Sequence, residues 1–219
     1  MIRTMFFFSF ALLLGFITTS LAQDPLVARV QQRLDEQHVK QAKASYNYIA
    51  TTLVYKLDKQ GNVEQADTFR NWQRFVNGLQ VTDSLLYSSD PKDREKKAKK
   101  EGKHSESVGM PKLTDPAMDC AVGPAVNGLA AVNFKPRKPK GGDIAGELFV
   151  DPATGALRKS SFYMPKMKWP VKEFSMKMDW TEVGGILVPT YIWMQAGWNA
   201  IITSGRIRVE TTISDIKVD

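Results

Sequence analysis

Cysteine and histidine are nearly absent from this chain. Cys120 is the only cysteine in 219 residues, so no intrachain disulfide can form and stability has to come from an apolar core. The two histidines, His38 and His104, stand far apart with no Ser or Cys motif beside either, and no nucleophile, base and acid set is readable. CxxC, HExxH, GxSxG, phosphate-loop and dinucleotide fingerprints are all missing. We therefore expect no metal, no cofactor and no catalytic residue. Glu147, Asp151, Asp179 and Glu182 fall near strand ends, but spacing alone selects no catalytic pair among them.

Long apolar runs are confined to the beginning. Arg3 forms a small basic region, Met5 to Ile17 an apolar stretch, and Ser20-Leu21-Ala22 places small residues where a leader is cut. Residues 1–22 read as a secretory signal peptide, since the run is shorter than the roughly 20 residues a membrane span needs. Removing 22 residues from 219 leaves 197, enough for a single domain over 23–219. One arginine leaves with the leader, so 29 basic residues face 23 acidic ones, a net +6. Outside the cytoplasm the nearest polyanions are phospholipid head groups and envelope polymers, so we expect an anionic membrane surface rather than nucleic acid as a partner.

The remaining chain alternates between short periodic stretches and turn chemistry. Asp24-Pro25 can cap and start a helix over about 25–43, with Leu26, Val30, Leu34 and Val39 near helical spacing. Tyr46 to Leu57, Val63 to Val76 and Leu79 to Tyr87 then read as a three-stranded meander turned at Asp58 to Asn62 and at Asn77-Gly78. Residues 90–103, DPKDREKKAKKEGK, carry seven basic and four acidic side chains and open a basic insert reaching to about 125. Lys96, Lys97, Lys99 and Lys100, together with Arg137 and Lys138 in a proline-rich corner, are the candidate membrane or partner contacts. Residues 104–125 lack periodicity and read as a long loop with at most a helical turn. Strands are expected over Ala125 to Phe134, Ile144 to Val150, Ala156 to Tyr163, about 174–180, Ile186 to Gln195 and Arg206 to Val218, with a break at Gly197-Trp198-Asn199.

Between positions 164 and 198 lie four of the five tryptophans and five of the seven methionines that follow the leader. Methionine adapts to irregular apolar shapes and tryptophan supplies flat contact area. Phe149, Phe162, Phe174, Met176, Met178, Trp180 and Trp193 are accordingly the candidate lining of an apolar ligand site. The same side chains could instead fill an ordinary core. One amphipathic helix cannot cover so many strands, so part of the sheet has to close on itself or stay open.

Two stretches carry a family resemblance. Gly146-Glu147-Leu148-Phe149-Val150-Asp151 with Leu157-Arg158 after a turn, and Gly185-Ile186-Leu187-Val188-Pro189, resemble signatures of the LolA/LolB lipoprotein carriers and their outer-membrane lipoprotein-sorting relatives in bacteria. The order of leader, helix, hairpins, insert and meander is similar as well. The resemblance implies an α+β, mainly β fold: an incomplete antiparallel barrel, or half-barrel, wrapped around one or more helices, in a monomeric periplasmic protein. It also implies a non-enzymatic carrier or binding role, with acyl chains of lipids or lipoproteins as partners. No position here matches the carriers' cavity-closing arginine. The competing readings are an envelope scaffold or interaction protein with a filled core, and a hydrolase of envelope material.

Overall fold

The computed structural model describes residues 24–90, 110–201 and 203–219. The leader and Lys96, Lys97, Lys99 and Lys100 lie outside them. One helix, α1 (Pro25–Gln41), is followed by β1 (Tyr46–Leu57), β2 (Val63–Val76) and β3 (Leu79–Ser88). Then come β4 (Met118–Val122), β5 (Ala130–Pro136), β6 (Ala145–Val150), β7 (Leu157–Tyr163), β8 (Val171–Val183), β9 (Ile186–Asn199) and β10 (Ser204–Val218). All ten strands join one antiparallel sheet in the order β3-β2-β1-β10-β9-β8-β7-β6-β5-β4. β3 and β4 are its two edges, so the barrel is not closed, and the half-barrel read from the sequence is what forms.

Local chemistry explains most element boundaries. Asp24 Oδ1 accepts the Leu26 amide at 2.8 Å, and Pro25 occupies the first turn of α1. Asn77 and Gly78 have φ of 50° and 71°, and Gly184 and Gly185 have 57° and 83°. Consecutive left-handed residues are what tight hairpins between twisted strands demand. Two expectations need correction. The loop expected over 104–125 contains β4, a five-residue strand that pairs with β5 and ends the sheet among the described residues. The break expected at Gly197 is absent: β9 runs on to Asn199, and Gly197 pairs with Glu173 of β8 and Arg206 of β10.

The helix shows that the sheet curls. α1 packs on both β9 and β4, which stand five strand spacings apart in the sheet. A flat sheet would separate them by about 24 Å, more than twice the width of a helix. Val27 and Val30 of α1 are fully buried against Leu148, Val150, Leu157, Phe162 and Leu187. The buried stripe of the helix also includes two polar residues, Gln31 and Gln37, while Val39 is 52% exposed. Gln31 Oε1 accepts the Leu113 amide at 2.6 Å, and Gln37 Oε1 accepts the Leu187 amide at 2.8 Å. The glutamines therefore satisfy backbone groups that no strand reaches. A second buried cluster gathers Tyr46, Ile186 and Val188, with Tyr46 and Phe75 stacked at 4.6 Å.

Candidate apolar binding face

Strand register sorts every side chain to one of two faces. Phe162 of β7 lies opposite Met176 of β8, Met176 opposite Met194 of β9, Met194 opposite Val209 of β10, and Val209 opposite Val54 of β1. These five form one apolar row across five strands. The next row runs through Ser160, Met178, Ile192, Thr211, Thr52 and Phe69. Its two threonines share a 3.0 Å hydroxyl contact. Trp180 Nε1 donates to the buried Ser160 hydroxyl at 2.9 Å, which fixes the indole on this side. Phe162 and Met176 belong to the core beneath α1, and Phe174, Met178, Trp180, Ile192 and Met194 pack partly buried against it. Farther along, Val209, Val54 and Phe69 are half-buried.

The opposite face is chemically distinct. Lys177 lies 5.4 Å from the ring of Trp193, and Arg208 4.5 Å from the ring of Tyr55. Ion pairs link Lys159 to Asp179, Arg208 to Glu210 and Arg206 to Glu173. This is the charged and aromatic pattern of a sheet face in water.

Five of the seven residues read as lining therefore come together: Phe162, Phe174, Met176, Met178 and Trp180. Phe149 and Trp193 do not join them. Phe149 lies opposite Lys159, and Trp193 opposite Lys177 and Glu210, so both belong to the solvent face. Side chains alternate with period two along a strand, and each is one residue out of step with its core-facing neighbours Leu148 and Met194. Ile192, Met194, Val209, Val54 and Phe69 complete the apolar face. Alternation in β9 marks Ile192 and Met194 in the sequence, but only the pairing of β10 with β1 brings Val209, Val54 and Phe69 beside them.

The four carboxylates near strand ends are dispersed. Glu182 accepts from Arg33 at 2.7 Å and Gln37 at 2.5 Å, and Asp179 pairs with Lys159. Asp151 is held in its own turn, where the Thr154 and Ala153 amides lower its pKa. Glu147 sits opposite Ser161 in the outward-facing row of Lys177 and Trp193. Among the described residues no group of three or more His, Cys, Asp or Glu side chains is placed to hold a metal. Burial, followed by the nearby Asp119 carboxylate, raises the pKa of the Cys120 thiol, the opposite of nucleophile activation. The recess between α1 and the starts of β7 and β9 has an interior of about 10 Å³, room for one water.

No protein-family model and no curated protein matches the chain. Solved structures do. A LolA superfamily protein, NE2245 from Nitrosomonas europaea, is 10% identical over 87% of this chain and 92% of its own, with a TM-score of 0.39. A putative outer membrane lipoprotein-sorting protein domain from Vibrio parahaemolyticus is 13% identical over 88% and 92%, with a TM-score of 0.44. A structure of MucB in complex with MucA(peri) matches at 8% identity over 87% and 98%, with a TM-score of 0.33. The chain is similar to these proteins in fold.

Proposed function

We propose that this protein is a non-enzymatic binding or carrier protein of the bacterial periplasm, delivered there by its leader. It takes the acyl chain of a lipid or lipoprotein against the concave face of its open sheet. The observation that carries the reading is the row Phe162, Met176, Met194, Val209 and Val54, apolar at every position and half-buried at its β9 to β1 end. Phe162 and Met176 are buried beneath α1, so the half-buried stretch Met194, Val209 and Val54 spans two strand spacings, about 10 Å. That suits part of an extended acyl chain. Each methylene fully withdrawn from water contributes about 0.8 kcal/mol, and an open face collects part of that. The half-buried Met178 and Met194 let the face adjust to more than one chain.

The test is native mass spectrometry of protein purified from its own envelope fraction, with fluorescent fatty-acid uptake on wild type and variants. A mass increment lost on organic extraction supports the reading, as does loss of uptake in a folded Met194→Glu protein. Met176 is 7% exposed inside the core, so Met176→Glu is expected to unfold the protein and is not the variant to use. If Met194→Glu also unfolds, Val209→Asn serves in its place. A bare mass with no uptake of palmitate or phospholipid overturns the proposal. A second reading, an envelope interaction protein with a filled core, draws on the edge strand β3, where Leu79, Val81 and Leu86 are exposed.

A further inference from the structure

One end of the sheet combines exposed apolar side chains with a dense collar of cations. The β5–β6 and β7–β8 loops meet there, joined by the Gly142 amide donating to the Lys166 carbonyl at 3.1 Å. The β9–β10 loop lies beside them, with the Asn199 amide donating to the Pro170 carbonyl at 2.9 Å. Trp169 and Ile201 flank that contact and are 64% and 92% exposed, where such side chains are ordinarily covered. The same end carries Arg137, Lys138, Lys140, Lys166, Lys168 and Lys172, all exposed, with Arg137 Nε donating to the Met118 carbonyl at 3.2 Å. The two touching segments, 137–144 and 164–172, carry these six basic residues and a single acid, Asp143. Asp143 accepts the Lys140 amide at 2.7 Å, so it closes its own turn.

We infer that this end of the molecule is a docking tip for an anionic bilayer surface. Trp169 sits at head-group level, Ile201 enters the acyl boundary, and the six cations face lipid phosphates. Charge complementarity selects the lipid. Six exposed cations, none ion-paired among the described residues, at the end where two apolar side chains project fit a phosphate-covered interface with hydrocarbon beneath it. The inference is independent of the acyl-binding proposal, since it uses none of the concave-face residues.

Co-sedimentation of the purified protein with vesicles tests it. Binding to vesicles of equal parts phosphatidylglycerol and phosphatidylcholine, with little to phosphatidylcholine alone, is the expected result. Lys138→Glu with Lys168→Glu should weaken that binding by about 20-fold. Trp169→Ser with Ile201→Ser should weaken it by about tenfold while leaving fatty-acid uptake unchanged. Lys43→Glu with Lys217→Glu, an equal change of charge at the opposite end of the sheet, should have a markedly smaller effect. Absence of binding to the anionic vesicles overturns the inference. Equal loss from the Lys43 and Lys217 double variant overturns it too, as does binding indifferent to both tip variants.

Discussion

Replacing Gln37 by leucine tests how α1 is held on the sheet. Gln37 is 4% exposed, and its side chain works in both directions. Its Oε1 accepts the Leu187 amide at 2.8 Å, and its Nε2 donates to Glu182 Oε1 at 2.5 Å. Leucine has similar volume and helix propensity, so packing is largely kept and the hydrogen bonds alone are removed. Glu182 retains Arg33, but the buried Leu187 amide is left without its acceptor. An orphaned buried donor costs about 1–3 kcal/mol. Taking about 2 kcal/mol, the midpoint of thermal unfolding should fall by about 4–8 °C for a domain of this size. The urea midpoint should move by about 1 M. Hydrogen exchange at the Leu187 amide should accelerate well beyond what global destabilisation explains. Gln32→Leu, one turn away on the exposed side, is the control and should change stability by less than about 0.5 kcal/mol. A Gln37→Leu protein as stable as wild type, or a Gln32→Leu protein equally destabilised, would refute the idea that buried glutamines anchor α1.

Two further outcomes follow from the same physics. Gly78 has φ of 71°, and a Cβ there would lie 2.8 Å from Ala42 Cα and the Gln41 carbonyl oxygen. Gly78→Ala should therefore cost about 1–3 kcal/mol in urea unfolding, more than Gly185→Ala, whose added Cβ meets nothing. Burial, helped by Tyr46 and Asp83, raises the pKa of Tyr48 far above its ordinary value of 10.0. The unfolded chain thus releases that proton first as pH rises, so the native state is unaffected below about pH 10 and loses stability above it. Tyr48→Phe should flatten this alkaline loss, read as the urea midpoint on either side of that pH. An alkaline slope unchanged from wild type would rule the assignment out.

Comparing the expected elements with the observed ones separates two kinds of information. Strands with alternating patterns and turns with left-handed chemistry are legible, because both are decided within a few residues. β1 and β2 end where the turn residues place them. The short edge strand β4 is not legible, since MDCAV lacks alternation and becomes a strand only because β5 offers an unpaired edge. Gly197 misleads for the converse reason. Glycine reads locally as a break, yet here the Glu173 side chain occupies the space a Cβ would need, 2.8 Å away. The helix stripe misleads in its polarity, because hydrophobic periodicity selects Val39 and passes over Gln31 and Gln37, whose partners lie 82 and 150 residues away.

The sequence by itself determined the absence of any possible intrachain disulfide, the positions of the hairpin turns and the concentration of methionine and tryptophan in one third of the chain. Those follow from composition and from dihedral preferences that need no partner. The tertiary structure alone decided that Phe149 and Trp193 face water with Lys159 and Lys177, while Met194, Val209 and Val54 continue the row begun by Phe162 and Met176. It alone brought Trp169 and Ile201 to one end among six cations. A period-two strand shows that its side chains alternate, but which set meets the core is set by strands paired across the whole chain and by where one helix comes to rest.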